Sequence, residues 1–225
     1  MTTFAALKTN VSRDLRDTGN LTFDVTVVGD FINEALAEIG RIAPKRFQKD
    51  ISLSANAMTY TVLPTGFNSA VPEIELMTVE LWHTTETPDV PVALIEPSST
   101  SYVNYSATGW RMWDGVLQIP RWIPVYVKGS ESSYLLRVWG YCPYPPLINT
   151  GDTVPLSNEL EHALRARCRV SGIERLINDR DLFSQWQVRS NNTDVSPAAL
   201  MNSLSLAQAD WRRLSRQIAV LREAP

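Results

Sequence analysis

The longest one-sided hydrophobic stripe in the chain runs from Asp24 to Pro44, with apolar residues at Val28, Phe31, Ile32, Ala35, Leu36, Ile39, Ile42 and Ala43. Spacings of three and four residues place these side chains on one face of an amphipathic helix. Asp24 is the predicted N-cap and Pro44 the stop, because the residue before a proline is pushed out of helical angles. Asp30, Asn33, Glu34, Glu38 and Arg41 fall on the opposite, wet face. A stripe of this width cannot bury itself, so another part of the chain must cover it. Upstream, Phe4, Leu7, Val11 and Leu15 share a helical face capped by Thr2 or Thr3, and Thr18-Gly19-Asn20 supplies a left-handed stop.

After Pro44 the period changes from 3.6 to 2. Strands are predicted at Met58–Leu63, Glu73–Trp82 with a bulge near Met77, and Val90–Ile95, with a helical turn over Pro97–Tyr105. Trp110–Trp113 and Val116–Ile119 are joined by Asp114-Gly115, a preferred two-residue hairpin loop. A second hairpin is predicted from Val125–Lys128, a turn at Gly129–Ser133, and Tyr134–Tyr141. Helical periodicity returns near Asn158, where Asn158 and Glu161 fit a capping box, and one helix is predicted to run to about Arg189. Ser196-Pro197 opens a last helix whose apolar residues Leu200, Leu204, Ala207, Trp211, Leu214, Ile218 and Leu221 alternate in steps of three and four.

Helices at both ends therefore bracket a β segment. The expected fold is α+β: a four-helix bundle from the N- and C-terminal helices, with an inserted antiparallel β-sandwich or small barrel. The expected boundaries are 1–50 and 155–225 for the split bundle and 51–154 for the insertion.

Composition narrows the function. Of the 225 residues, 44% are hydrophobic and 20% charged, as in an ordinary globular protein, and no apolar run is long enough for a membrane helix. The first twenty residues lack a secretory pattern, and two isolated cysteines, Cys142 and Cys168, fit a reducing compartment. Residues 51–158 hold four basic and nine acidic side chains, a poor match to a nucleic-acid clamp. Residues 159–225 hold ten arginines against eight acids.

No phosphate loop, dinucleotide fingerprint or nucleophile elbow is present. His83 and His162 lack the spacing of metal ligands, and Cys168 reads as a small buried side chain. No cofactor is expected. The carboxylate pairs Glu73/Glu75 and Asp179/Asp181 read as solvated surface before they read as a hydrolase's acid and nucleophile. The dense aromatic set Trp110, Trp113, Trp122, Tyr126, Tyr134, Trp139, Tyr141 and Tyr144 offers a sandwich core, a sugar-stacking platform or an adhesive protein interface. Trp110 and Trp113 fall on opposite strand faces, so at least one points outward. In the last helix the seam residues Leu204, Trp211, Leu214 and Ile218, with Arg212, Arg213, Arg216 and Arg222, form the best candidate for docking another chain.

The segments TTFAALKTNVSRDLRDTG, DFINEALAEIGRIAPKRF, YTVLPTGF, WDGVLQIP, LLRVWGYCPYPPL and VPLSNELEHALRARCRVSGIERLINDRDLFSQW resemble, in that order, a tailed-bacteriophage head-to-tail connector, the adaptor or neck protein. The resemblance implies a non-enzymatic structural virion protein, assembled in the host cytoplasm and located at the head–tail interface. It implies a homo-oligomeric ring, a dodecamer, below the portal protein, with genomic DNA passing through unbound by sequence and tail or neck proteins attached beneath. The last helix would then dock on the portal, and Glu73, Glu75 and Asp114 would face the channel. The alternative is a glycan-binding or cell-wall-degrading tail component.

Overall fold

The computed structural model describes every residue except 1, 65–66, 68–73, 86, 99–108, 114, 155 and 224–225, and describes the backbone alone at 154 and 220–223. The architecture is α+β and divides into two compact units, Met1–Ala43 with Tyr144–Pro225, and Pro44–Pro143.

The first unit is helical. A short strand β1 (Thr2–Thr3) leads into α1 (Phe4–Asp14), capped by the Thr3 hydroxyl, which accepts from the Ala6 amide. Two further free amides of its first turn, those of Phe4 and Ala5, donate to the carbonyls of Asp152 and Thr150. α2 (Val25–Ile42) begins at Asp24, whose carboxylate accepts from Thr26, and buries Val28, Phe31, Ile32, Ala35, Leu36 and Ile39. Each such leucine or isoleucine contributes about 2 kcal/mol by leaving water.

The cover for this stripe arrives from far along the chain. α4 (Asn158–Asn178) packs on α1, α2 and α6 (Pro197–Glu223), making the four-helix core, and α5 (Arg180–Arg189) adds the buried Trp186. Polar ties fix the register. Arg165 grips Asp14 through two bonds of 2.8 Å, Arg167 bonds Glu38, and Gln208 donates to Glu174 at 3.2 Å. Asn33 and Glu38 are thus not simply wet residues. The Asn33 amide both donates to and accepts from the Leu147 backbone, pinning the segment that enters α4.

Between α1 and α2 the loop turns through positive φ at Arg16, Gly19 and Asn20. Fully buried Asp17 holds it: its carboxylate accepts from the amides of Thr22 and Phe23 and from the Ser190 hydroxyl. Trp186 Nε1 donates to the Leu15 carbonyl, and the Asn192 amide donates to that of Arg16, joining this loop to the end of α5.

The second unit holds β2 (Lys45–Ser52), β3 (Thr59–Thr61), β4 (Glu75–His83), β5 (Val90–Ile95), β6 (Arg111–Trp113), β7 (Val116–Gln118), the short helix α3 (Trp122–Tyr126) and β8 (Tyr134–Cys142). Strand β9 (Thr153–Val154) belongs to the helical unit and pairs with β1. The ladders between the described strands are antiparallel. One sheet has the order β2-β8-β4-β5 and the other β3-β7-β6, and both contribute to one core that includes Val79, Leu81, Leu117, Ile119, Leu136 and Val138. The bulge falls at Met77, where the β4–β8 register shifts between Leu76 and Thr78 and the inward set changes phase to Val79 and Leu81. The Trp113↔Val116 hairpin forms with Gly115 at φ +73°.

Three expectations are corrected, and one strand is added. Val125–Lys128 is not a strand: Ile123 and Val127 are buried while Val125 is 66% exposed, a helical spacing, and Tyr134–Cys142 instead pairs with both β2 and β4. The long helix after Asn158 breaks at Asp179, which leaves helical angles and caps α5 by accepting from Leu182. Ser157, not Asn158, caps α4, and Glu161 accepts instead from the Thr2 hydroxyl. β2 escaped notice because four of its eight residues are charged and only Phe47 is fully inside. The predicted turn over Pro97–Tyr105 lies largely outside the described residues; Pro97 itself bridges Trp110.

Asp17→Ala removes a fully buried carboxylate that accepts from one buried and two half-buried donors and is expected to lower stability by about 3 kcal/mol in urea unfolding. Gly140 lies so close to β4 that a Cβ there would meet the Glu75 carbonyl oxygen at 2.3 Å. Gly140→Ala is expected to cost about 2 kcal/mol, read as a loss of β-unit amide protection in hydrogen exchange.

Candidate functional site

The last helix, α6, starts as its sequence dictates, with the Ser196 hydroxyl accepting from Ala199 and Pro197 in first position. Its seam turns inward. Ala207 and Ile218 are buried at 1% and 2% exposure, and Leu204, Trp211 and Leu214 pack half-buried on the same helical core. The apolar half of the expected docking set is therefore already covered within one chain. Arg212, Arg213 and Arg216 remain exposed, together with Met201 and Leu206. Arg213 reaches Asp210 at 3.6 Å, but both are more than half exposed, so the pair restrains little. The Arg222 side chain lies outside the described residues.

Of the three acidic positions expected to line a channel, Glu73 and Asp114 lie outside the described residues and Glu75 opens β4 in an exposed position. The charge of the region differs when the whole compact unit is counted. β2 brings Lys45, Arg46 and Lys49 into the β unit, so Pro44–Pro143 holds seven basic and nine acidic residues. The acidic excess of the unit is therefore smaller than that of residues 51–158.

The aromatic set divides as the alternation requires. Trp110 is buried, while Trp113 is 75% exposed. On α3, Trp122 and Tyr126 are outward and meet edge to face, and Tyr126 continues the ring contacts to Tyr134 and thence His83. Burial and the neighbouring Tyr126 push the Tyr134 hydroxyl's pKa up.

On the outer face of the four-stranded sheet, Arg137 binds Asp50 through two bonds of 2.8 Å, reaches Asp89 at 3.3 Å and lies 4.2 Å over the Trp82 ring. The Arg137 hydrogen bonds hold the Asp50 carboxyl below its ordinary 3.8. This group ties β2 to β8 and the loop before β5. It is a strut in which one arginine is shared between two carboxylates.

The other candidates resolve into structure. Asp179 is a helix cap, which gives this member of the Asp179/Asp181 pair a structural role. Cys142 and Cys168 are buried, and burial raises both thiols' pKa values; Cys168 leans on the Phe31 carbonyl. His162 lines an open groove of about 470 Å³ between α4 and α6, beside Arg165, Arg169 and Arg213. Among the described residues, no group of three or more His, Cys, Asp or Glu is placed to hold a metal ion. No helix among them is long and apolar enough to cross a membrane.

The SU10 adaptor protein family matches residues 2–171. The chain belongs to that family and is a phage adaptor protein. A comparison with curated proteins returns no match. The family match spans α1, α2, the whole β unit and α4 as far as Ser171, so the adaptor's α5 and α6 lie beyond it.

Lowering pH tests the strut. A carboxylate whose folded pKa is depressed contributes stability that is complete above its unfolded value and is lost as pH falls through the folded one. The adaptor's Asp50 contribution is thus present above about pH 4 and disappears below it. Asp50→Asn is expected to lower the melting temperature at pH 7 and to narrow the difference between pH 7 and pH 3 relative to wild type.

Proposed function

We propose that this adaptor builds a homo-oligomeric ring, a dodecamer, below the portal, continues the DNA channel and carries the attachment platform for tail components. The observation that carries the reading is the family match across both the helical and the β unit. Exposed apolar and aromatic surface supports it: Trp113, Val125, Tyr126 and Leu94 are each more than half exposed, and that surface suits a protein completed by neighbours. We assign the adaptor no catalytic role, and it acts at the head–tail interface of the virion.

In this reading α6 meets the portal through Arg212, Arg213, Arg216 and Arg222, while its seam anchors the helix to the bundle. Arginines on a rigid helix give a partner's carboxylates bidentate hydrogen bonds and steer encounter. DNA slides past without sequence recognition, and Glu73, Glu75 and Asp114 face it, where anionic side chains do not hold phosphates.

Removing everything after Asn191 strips buried Leu200, Ala207 and Ile218 from the core, so the cleaner test leaves the seam intact. Arg212→Glu, Arg213→Glu and Arg216→Glu together are expected to weaken portal binding at least about tenfold without changing the melting temperature. Electron microscopy of adaptor mixed with portal is expected to show a ring on one portal face for wild type and bare portals for the triple variant. Wild-type adaptor that leaves portals bare would overturn the assignment. Lysine at Glu73, Glu75 and Asp114 is expected to slow genome ejection; unchanged ejection removes these residues from the channel wall.

A further inference from the structure

The four-stranded sheet has one face filled by the β-unit core and one turned away from it. Alternation along the inner strand β8 sends Leu136, Val138 and Cys142 into that core. The same alternation puts Leu135, Arg137, Trp139 and Tyr141 on the other face, each half-buried. Trp139 and Tyr141 belong to neither hydrophobic core among the described residues.

The ladder registers fix what surrounds these two rings. Trp139 stands between Gln48 of β2 and Thr78 of β4, and Tyr141 stands between Arg46 and Glu75. Arg46, Gln48 and Glu75 are exposed, and Thr78 is half-buried. Met77, 52% exposed at the bulge, adds an aliphatic side chain beside Thr78. Paired positions on one sheet face lie about 5 Å apart, within the span of one sugar ring. The next row along is Asp50, Arg137 and Glu80. There the Trp82 ring is already covered by Arg137, which leaves Trp139 and Tyr141 as the available rings.

We propose that this face is a binding platform for a neutral polysaccharide, with Trp139 and Tyr141 stacking on neighbouring sugar rings. A pyranose offers an aromatic side chain its C–H face and turns hydroxyls outward around its rim. The indole and the phenol meet the first. Gln48, Thr78, Arg46 and Glu75 bring amide, hydroxyl, guanidinium and carboxylate groups that donate to and accept from the second. Two positions along one strand set the rings about 7 Å apart, so a sugar chain lying along β8 meets both. These side chains stand on β2, β4 and β8, strands held together by ladders, so the platform is formed before ligand arrives.

Charge selects the polymer. The face carries Arg46 and Arg137 against Asp50, Glu75 and Glu80, so a polyanion is not attracted to it. The same composition disfavours a protein partner. Protein interfaces are depleted of charged side chains at their centre, and here arginine and carboxylate adjoin the rings directly. The α3 surface differs, since exposed Val125 accompanies Trp122 and Tyr126 there. The platform is an activity beyond the ring reading and does not depend on it.

Affinity electrophoresis of the full-length protein tests this, in gels holding amylose, dextran, glycol chitin or the anionic dextran sulfate. Wild type is expected to be retarded by at least one of the neutral polymers and not by dextran sulfate. Trp139→Ala is expected to weaken that binding at least about tenfold, while Trp113→Ala and Trp122→Ala leave it unchanged. Should Trp139→Ala lower the melting temperature, Arg46→Ala with Gln48→Ala decides, because both side chains are exposed; a loss of similar size is expected. Wild type that no neutral polymer retards overturns the platform. So does retardation that survives these substitutions, or tighter binding to dextran sulfate. Loss of portal or tail-protein binding in Trp139→Ala, with no sugar bound by wild type, gives the face to a protein and overturns it too. Ring formation on portal is expected to be unchanged in Trp139→Ala, so the ring reading and the platform fail separately.

Discussion

The apolar stripe of α2 has to be covered, and α1 covers only part of it; the rest of the cover lies more than a hundred positions downstream. α4 supplies Ala163, Leu164, Cys168 and Ile173 to the same core as Phe31, Ile32, Leu36 and Ile39. Everything between Ala43 and Tyr144 is then a closed excursion from one helical unit. The entropic cost of closing a loop rises only logarithmically with its length, so the excursion can hold a folded unit of its own almost as cheaply as a short turn. The Asn33–Leu147 amide pair fixes where the chain returns.

That constraint allocates the rest of the polar chemistry. Asp17, Arg165 and Arg167 each bond to a segment more than a hundred residues away, to Ser190, Asp14 and Glu38, and each partners groups that packing draws partly out of water. The same logic accounts for several acids that a sequence reader would try as functional groups. Asp179 is a cap, Asp50 and Asp89 share Arg137, and Glu161 holds Thr2. What remains outside is apolar and aromatic surface on the β unit and a row of arginines on α6, which are the materials of protein interfaces.

An adaptor works by fitting several neighbours at once, and its two units suit that differently. The helical unit has long-range ties at nearly every junction, so the α6 arginines stand on a rigid base. The β unit presents its patches from a short helix and an edge strand, elements whose exposed sides have no further role in its own core. Such surface is a liability in a lone molecule, through aggregation at the open edge, and an asset in one that repeats around an axis.

The sequence by itself determined the elements whose pattern is local. The caps at Asp24 and Ser196, the stripe of α2, the bulge at Met77 and the Trp113–Val116 hairpin all follow from spacing and from residues with strong backbone preferences. The outward turn of Trp113 against buried Trp110 was equally legible in strand alternation. Tertiary structure decided what depends on partners distant in the chain. β2 is a strand because β8 pairs with it along its full length, which its charged residues do not announce. Val125 lies on a helix because β8 already had two neighbours and the core needed Ile123 and Val127 together. The α6 seam reads the same whether it packs on its own bundle or on another chain; only the presence of α4 beneath it settled that the leucines face inward and the arginines out. Periodicity records which face is apolar, and the identity of what covers that face is set by the whole chain.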